Sequence, residues 1–239
     1  CDGELTDLTA SGAGNYQFLV NGTPVGPFSP AATLNTALTN GDVVTVTGEL
    51  NGCPSTSTDT YTFTVFDFPT ITTTSSEPTS VICLGDLVSF TASGAMTYDF
   101  LLNGVVLQSG AGTTFDISTI EDGDVVSIIG YNGDCPSTAD TYTFTVNSMT
   151  LSLSASPSNM ICEGDLVTFT ATGGDNYEFF LNGVSTGPMS ATNTYASSAL
   201  NNLDEVSFVA NSTTTGCTQG LGDYIICLLY TSPSPRDSF

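Results

Sequence analysis

The chain has 239 residues, of which 24 are acidic, one is arginine and none is lysine or histidine, for a formal net charge of −23. Such an excess of one sign repels nucleic acid phosphates and anionic membrane surfaces, which argues against a nucleic acid partner, and it indicates a solvated surface suited to salty or calcium-containing water. No apolar run approaches the length of about 20 residues that a membrane-spanning helix needs, so membrane insertion is not expected.

Three passages along the chain share one pattern, which predicts three copies of a small module. Each passage starts with a cysteine, continues through Gly-Asp-Leu or Gly-Glu-Leu, and reaches Tyr-x-Phe-x-x-Asn-Gly 15 positions after the cysteine. The cysteines are Cys1, Cys83 and Cys162, and the tyrosines are Tyr16, Tyr98 and Tyr177. The starts are 82 and then 79 residues apart, which is typical of an all-β module.

Short strands are predicted within each copy. In the first two copies the clearest ones are 43–47, 61–65, 125–129 and 142–146, all rich in Val, Ile, Thr and aromatic residues. In the third copy, residues 166–171 alternate so that Val167, Phe169 and Ala171 share one face, which can be buried. No window has a convincing helical period, so the pattern predicts a sandwich of short strands.

The tyrosine-containing strand of each copy is predicted to end in a hairpin, because the Asn-Gly that closes it, as at Asn182-Gly183, suits positive φ angles. The same strand carries a phenylalanine in every copy, at Phe18, Phe100 and Phe179. A strand position that recurs in this way is predicted to lie in the core rather than to stack on a sugar ring.

The domain organisation follows from the repeat. Segments rich in Thr, Ser and Pro, 69–80 and 152–158, are each predicted to form a first strand plus a short linker. The predicted modules are repeat 1 at 1–65, lacking its first strand, repeat 2 at 66–146, and repeat 3 at 147–226, with a truncated last strand. The predicted fold is all-β: tandem immunoglobulin-like β-sandwich domains arranged end to end in an elongated monomer.

Residues 227–239 break the pattern. Their sequence resembles a translated transposase-type sequencing adapter, and we interpret them as an assembly artefact that contains Arg236 and the odd cysteine, Cys227. Both ends would then be truncations of a longer protein, and six cysteines would remain, two in each repeat.

The six repeat cysteines are predicted to form disulfides rather than a zinc site, since the sequence has no histidine and no Cys-x-x-Cys spacing. They are Cys1, Cys53, Cys83, Cys135, Cys162 and Cys217. Two arrangements stay open. Bonds within a repeat would have to join corners at opposite ends of a sandwich, although a disulfide needs Cα atoms within roughly 7 Å. Bonds between neighbours would join Cys1 to Cys135 and Cys83 to Cys217, and would leave Cys53 and Cys162 for domains outside this chain.

Acidic residues recur in Gly-Asp pairs that precede strands. The pairs are Gly41-Asp42, Gly85-Asp86, Gly123-Asp124 and Gly164-Asp165. The favoured interpretation is a turn, because Gly takes positive φ and Asp accepts hydrogen bonds from nearby amides. The alternative is Ca²⁺ held by the densest cluster, Glu121, Asp122 and Asp124, although no complete calcium loop is present.

The inventory for catalysis is poor. The sequence offers no histidine and no lysine, and its repeat cysteines are predicted to be paired, so the usual bases and activated nucleophiles are missing. We therefore predict no enzymatic activity and no cofactor other than the possible Ca²⁺.

The combined pattern Ile-Cys-x-Gly-Asp-x-Val-x-Phe-Thr-Ala-x-Gly, Tyr-x-Phe-x-x-Asn-Gly and a later Gly-Cys resembles the Ig-like and PKD-like repeats of large secreted Bacteroidota surface proteins. The resemblance covers residues 1–226. It implies an extracellular sandwich array that serves as an adhesin or stalk, with no catalytic residues to carry over. Phe stands where relatives often have Trp in one strand, and Asn202-Leu203-Asp204 replaces the Gly-Asp turn in repeat 3.

The predicted function is therefore a non-catalytic stalk or adhesin-type array at the cell surface. Its partners would be other surface proteins or polysaccharide. Two alternatives remain: accessory modules of a secreted hydrolase, and calcium-dependent adhesion modules.

Overall fold

The computed structural model describes residues 1–55 and 59–228, and within these residues every regular element is a strand. The strands of repeat 1 are β1 Leu5–Thr9, β2 Asn15–Val20, β3 Thr23–Pro24, β4 Thr33–Ala37, β5 Val43–Leu50, β6 Cys53–Pro54 and β7 Asp59–Thr62. Strand β1 pairs with β4, and a second sheet runs β3-β2-β5-β6 with β7 also on β5.

Repeat 2 shows the same arrangement with an additional first strand. Its strands are β8 Thr72–Ser75, β9 Val81–Cys83, β10 Val88–Ser93, β11 Thr97–Leu102, β12 Val105–Gly110, β13 Thr114–Ile117, β14 Val125–Asn132, β15 Cys135–Pro136, β16 Asp140–Thr143 and β17 Thr145–Asn147. One sheet runs β13-β10-β8, the other runs β12-β11-β14-β15 with β16 on β14, and β17 pairs in parallel with β9.

Repeat 3 repeats this topology. Its strands are β18 Ser152–Ser156, β19 Met160–Ile161, β20 Val167–Thr172, β21 Asn176–Leu181, β22 Val184–Ser185, β23 Thr194–Ser197, β24 Glu205–Asn211, β25 Thr218–Ile225 and β26 Cys227–Leu228. The sheets run β18-β20-β23 and β22-β21-β24-β25, and β26 pairs in parallel with β19. The predicted all-β fold of tandem immunoglobulin-like sandwiches is confirmed.

The chain forms two compact units, which differ from the three sequence repeats. Unit 1 consists of Cys1–Pro78, Val88–Asp116 and Val125–Thr143. Unit 2 consists of Thr79–Leu87, Ile117–Asp124 and the described residues from Phe144 onward. Repeat 2 therefore contributes its strand-rich body to unit 1 and one of its ends to unit 2. The repeat boundaries at 65, 146 and 226 remain predictions from the sequence.

The core of each sandwich is built from the alternating positions that the sequence predicts. In repeat 3 it contains the buried residues Ile161, Val167, Phe169, Ala171, Tyr177, Phe179, Leu200, Val206, Phe208, Ala210 and Ile226. The recurring phenylalanine is buried at Phe100 and Phe179, as predicted, but Phe18 is only half-buried. Among the described residues, β1 pairs with β4 alone, whereas the equivalent strands β10 and β20 each have a second neighbour, β8 or β18, so the sandwich of repeat 1 covers Phe18 less fully.

Two local predictions concern the hairpin and the end of the chain. The Asn-Gly pairs adopt positive φ, 50° at Asn182 and 76° at Gly183, as the hairpin prediction requires. Cys227 and Leu228, which the sequence assigns to the tail, form β26, while Arg236 lies outside the described residues. No helix in the described part of the chain is long and apolar enough to cross a membrane.

Candidate functional site

The first cysteine of every repeat lies in the same tight turn. The carbonyl of Cys1, Cys83 or Cys162 accepts a hydrogen bond from the amide of the acidic residue three positions later, at 3.0–3.1 Å. The carboxylates of Asp86 and Asp165 return the interaction by accepting from the Cys83 and Cys162 amides, at 2.8 and 2.9 Å. The Cys-x-Gly-Asp motif thus fixes the backbone that carries the thiol.

The second cysteine lies in or beside a hairpin that leads into the last strands of the repeat. Cys53 pairs with Leu50 across one hairpin, and Cys135 pairs with Asn132 across the next. In repeat 3 the hairpin is longer, and the Cys217 carbonyl accepts a hydrogen bond from the Ser212 amide at 2.8 Å.

Both disulfides of the described chain join one repeat to the next. Cys1 bonds to Cys135 within unit 1, with Cα atoms 5.4 Å apart, and Cys83 bonds to Cys217 within unit 2, with Cα atoms 5.5 Å apart. The two bonded positions are 134 residues apart in each case. Of the two arrangements left open by the sequence, the structure contains the one between neighbours.

The backbone around each disulfide is also repeated. The carbonyl of Phe66 accepts a hydrogen bond from the Asp2 amide at 2.9 Å, and the carbonyl of Asn147 accepts one from the Leu84 amide at 2.9 Å. The Cys135 sulfur lies 3.5 Å from the Phe66 oxygen, and the Cys217 sulfur lies 3.9 Å from the Asn147 oxygen. The segment that leaves one repeat therefore packs against the sulfur contributed by the next.

Further contacts tie the linkers to the hairpins. In unit 1 the Phe66 ring covers Gly133, where an added Cβ would lie 2.7 Å from the ring, and the Asn132 side chain donates to the Asp67 carbonyl at 3.2 Å. In unit 2 the Gln219 side chain accepts a hydrogen bond from the Met149 amide at 3.0 Å. We call this combination of disulfide, linker and hairpin the staple.

The remaining cysteines of the described chain, Cys53, Cys162 and Cys227, are free and exposed. By contrast, Cys135 and Cys217 are each only 3% exposed. The hairpin cysteine is thus buried in the two repeats where a staple exists.

The Gly-Asp carboxylates bind the backbone of their own repeat. The Asp42 carboxylate accepts hydrogen bonds from the Thr39 amide at 2.7 Å and from the Asn21 side chain at 2.6 Å. Asn21 in turn accepts from the Val43 amide at 2.9 Å, so this pair locks the Asn-Gly hairpin to the turn before β5. We call this arrangement the Asn-Asp bracket, and it supports the turn interpretation of Gly-Asp.

Repeat 3 contains the same bracket in a buried form. Asp204 is only 8% exposed and accepts hydrogen bonds from the Asn182 side chain at 2.8 Å and the Asn201 amide at 2.7 Å. Hydrogen bonds to the charged form lower the pKa of Asp204, chiefly those from Asn182 and Asn201, against the raising effect of burial. At Asp42 the pKa is lowered first by the Thr39 amide and then by Asn21.

The predicted calcium ligands serve the backbone as well. Asp124 accepts a hydrogen bond from the Glu121 amide at 2.8 Å, and Asp122 accepts one from the Val146 amide at 3.0 Å. Among the described residues, no group of three or more Cys, Asp or Glu side chains is placed to hold a metal ion. Calcium at Glu121, Asp122 and Asp124 therefore stays a prediction, with no geometric support in the described residues.

A cleft of about 550 Å³ in unit 1 is lined by linker residues 68–71 and residues 136–140. The titratable side chain in its lining is that of Asp140. Hydrolysis of a glycoside by two carboxylates needs a second acid at a defined distance across the cleft. Among the described residues that line this cleft, Asp140 has no second acid opposite it.

Sequence reasoning missed the asparagine half of the bracket. The sequence predicts Asn21, Asn103 and Asn182 to form hairpin turns, and in the structure each side chain also accepts a hydrogen bond from the amide that opens the following long strand, at 2.9–3.0 Å. The available signal was that Asn-Gly and the later Asp recur together in all three repeats, 21 or 22 positions apart.

No family model matches this chain, and no curated protein matches it. Among solved structures, it is similar to a chain described as "Structures of Clostridium thermocellum CbhA fibronectin(III)-like modules", with 25% sequence identity and a TM-score of 0.26. That match covers 28% of this chain and 84% of the other. The fold assignment therefore rests on the strands and their pairing, and the site assignment rests on the repeated staple.

Proposed function

We propose that the chain is a non-catalytic spacer of an extracellular protein, in which disulfides staple each sandwich repeat to the next. The observation that carries this proposal is the equivalent pairing of Cys1 with Cys135 and of Cys83 with Cys217. Disulfides persist in oxidising surroundings outside the cytosol, which supports an extracellular location.

A staple changes what happens at a junction under tension. Sandwiches joined by a peptide linker alone are connected by one covalent path, and the linker takes up any relative motion. The staple adds a second covalent path at the same junction, so the 134 residues it closes cannot be drawn out while the disulfide is intact. A spacer that holds another domain away from a surface needs this resistance.

More specifically, we infer that the chain is a stalk or adhesin-type array in a Bacteroidota surface protein. The repeated motifs in residues 1–226 support it, and the net charge of −23 suits a solvated array. Accessory modules of a secreted hydrolase would use the same spacer property. Surface proteins or polysaccharide remain the predicted partners.

Single-molecule pulling between handles at the two ends tests the proposal. The oxidised chain should reach a much shorter maximum extension than the Cys1→Ser/Cys83→Ser double variant, because each released residue adds roughly 3.3–3.6 Å of contour. The Cys227→Ser variant is the matched control, since it removes an exposed thiol outside the staples and should extend like the parent chain.

Non-reducing peptide mapping of the same sample identifies the bonds directly. Peptides linking Cys1 to Cys135 and Cys83 to Cys217 are expected. Equal extension of the oxidised chain and the double variant, or peptides linking Cys1 to Cys53, would refute the stapled spacer.

A further inference from the structure

Two of the free cysteines occupy the positions that form staples elsewhere in the chain. Cys162 lies in the same Cys-x-Gly-Asp turn as Cys83, with the Asp165 carboxylate 2.9 Å from the Cys162 amide and the Asp86 carboxylate 2.8 Å from the Cys83 amide. The backbone at Cys162 is therefore held in the same turn as the backbone at Cys83, which forms a staple.

Cys53 occupies the complementary position. It lies directly after a two-residue hairpin turn, as Cys135 does, and the following serine makes the same contact in both repeats. The Ser55 amide donates to the Gly48 carbonyl at 2.6 Å, and the Ser137 amide donates to the Gly130 carbonyl at 2.7 Å. Cys135, which forms a disulfide with Cys1, is buried, whereas Cys53 is exposed.

We infer that Cys162 of one copy of this chain forms a disulfide with Cys53 of a second copy, in a head-to-tail staple of the kind seen at both internal junctions. Each internal staple joins a turn cysteine of one repeat to the hairpin cysteine of the next. The turn half is free in repeat 3 and the hairpin half is free in repeat 1, so one chain carries both halves of a third junction.

The contact is heterologous, because different surfaces of the two copies meet. A linked copy still presents one free Cys162 and one free Cys53, so the reaction continues into an open series of chains.

Formation of the bond requires an oxidant, for which a small-molecule disulfide such as glutathione disulfide serves. The Cys162 thiolate attacks one glutathione sulfur, forms a mixed disulfide and releases a glutathione thiolate. The Cys53 thiolate of the second copy then attacks the Cys162 sulfur and releases the second glutathione thiolate. The two protein thiols lose two electrons and two protons, and one glutathione disulfide becomes two glutathione thiols.

Electrostatic repulsion opposes this assembly. Each copy carries a net charge of −23, and the repulsion between copies is screened over a Debye length of roughly 10 Å at 0.1 M salt and 3 Å at 1 M. Linking should therefore be faster at high ionic strength.

A complementation experiment tests the pairing. The chain is held in a buffer of reduced and oxidised glutathione at 1 M NaCl and analysed by non-reducing electrophoresis and peptide mapping. The parent chain should give a ladder, whereas Cys53→Ser and Cys162→Ser should each stay monomeric. An equimolar mixture of the two variants should give one dimer, linked through Cys162 and Cys53.

Cys227 provides the matched control, because it is an exposed thiol that belongs to neither staple position. Peptides containing a Cys162–Cys53 link should exceed those with a Cys227 link at least about tenfold, the effect of a modest selective contact. Cross-links through Cys227 in similar yield, Cys162–Cys162 dimers of Cys53→Ser, or a parent chain that stays monomeric with both internal staples mapped would each overturn the inference.

Discussion

Leu203 is a residue in a backbone conformation that suits glycine. Its φ is 70°, while the equivalent turn positions in the other repeats are glycines, Gly41 with φ 87° and Gly123 with φ 85°. All three amides donate to the carbonyl of the residue that directly follows β7, β16 or β25, as Leu203 does to the Ile226 carbonyl at 2.8 Å. The Leu203 side chain is 70% exposed, so little burial offsets the strain.

Replacing Leu203 with glycine should stabilise repeat 3. The left-handed conformation costs an L-residue about 1–2 kcal/mol, and the greater freedom of glycine in the unfolded chain returns part of that gain. We expect Leu203→Gly to raise the unfolding free energy by about 0.5–1 kcal/mol in denaturant titrations.

Leu166→Gly is the control for that substitution. Leu166 is 62% exposed in the same repeat and does not have a positive φ, so glycine there relieves no strain. It should lower the unfolding free energy by up to about 1 kcal/mol. If both variants changed stability in the same direction, strain at Leu203 would not be the cause.

Asp204 makes the stability of repeat 3 depend on pH. Its pKa is lowered in the folded chain, so the stabilisation is present above the ordinary aspartate pKa of about 3.9 and is lost as the pH falls through the lowered value. Asp204→Asn keeps the shape but sets an amide against the Asn201 N–H donor. The variant should be less stable by about 1–3 kcal/mol at pH 7.

The difference between the parent chain and Asp204→Asn should shrink as the pH falls below about 4, where the parent carboxylate becomes protonated. Calorimetric unfolding across pH 2–7 measures it. Asp116→Asn is the control, because it removes the same charge from an exposed strand position. The difference in unfolding free energy between this variant and the parent chain should change little with pH. A gap at Asp204 that stayed constant down to pH 2 would contradict this role of the bracket.

At the scale of elements, the segment that leads into β18, the first strand of repeat 3, lies close to the glycine that follows β20. An added Cβ at Gly173, with φ 103°, would lie 2.2 Å from the Thr150 carbonyl oxygen. Gly12 holds the same place in repeat 1 with φ 95°, but nothing lies within 4 Å of its added Cβ. A substitution at Gly12 therefore measures the cost of the positive φ alone, whereas the same substitution at Gly173 adds the cost of the contact with Thr150.

Gly173→Ala should destabilise its repeat clearly more than Gly12→Ala does. Strain alone is expected to cost about 1–3 kcal/mol at either site, and at Gly173 the clash with the Thr150 carbonyl adds to it. Calorimetry combined with hydrogen exchange of amides in β18 and β20 measures the effect. Equal losses of stability at both positions would show that the segment containing Thr150 can move away from the added methyl group at no cost in free energy.

The strands themselves were predictable, since alternation and Asn-Gly turns are local signals. The interruption of the predicted strand at Phe144 was not predictable, because residues 142–146 have one continuous pattern of strand-forming residues. In the structure Phe144 is buried and the chain passes from β16, on β14, to β17, which pairs in parallel with β9. This change of partner depends on residues about 60 positions away, to which a local pattern is blind.

At the scale of the whole molecule, the repeat period and the six repeat cysteines were predictable, but their pairing was not. Equal cysteine spacing is compatible with bonds inside repeats or between them. What decides is where a linker such as Phe66 places the hairpin of Cys135 relative to Cys1, which is a contact between distant parts of the chain.

The excess of acidic charge should make stability depend on ionic strength. With a net charge of −23, self-repulsion weakens the folded chain, and raising NaCl from 0.01 to 1 M shortens the Debye length from roughly 30 to 3 Å. The melting temperature should therefore rise with NaCl.

Calcium at matched ionic strength distinguishes screening from binding. A specific site saturated at 100 times its Kd would stabilise the fold by about 2.7 kcal/mol beyond screening. Because the Asp124 and Asp122 carboxylates already accept backbone amides, we expect calcium and sodium to raise the melting temperature nearly equally. An additional rise of the melting temperature with calcium would instead establish the calcium alternative if Glu121→Gln abolished it and the exposed-site control Asp116→Asn preserved it. Only calcium binding at Glu121, Asp122 and Asp124 would depend on the carboxylates of that cluster.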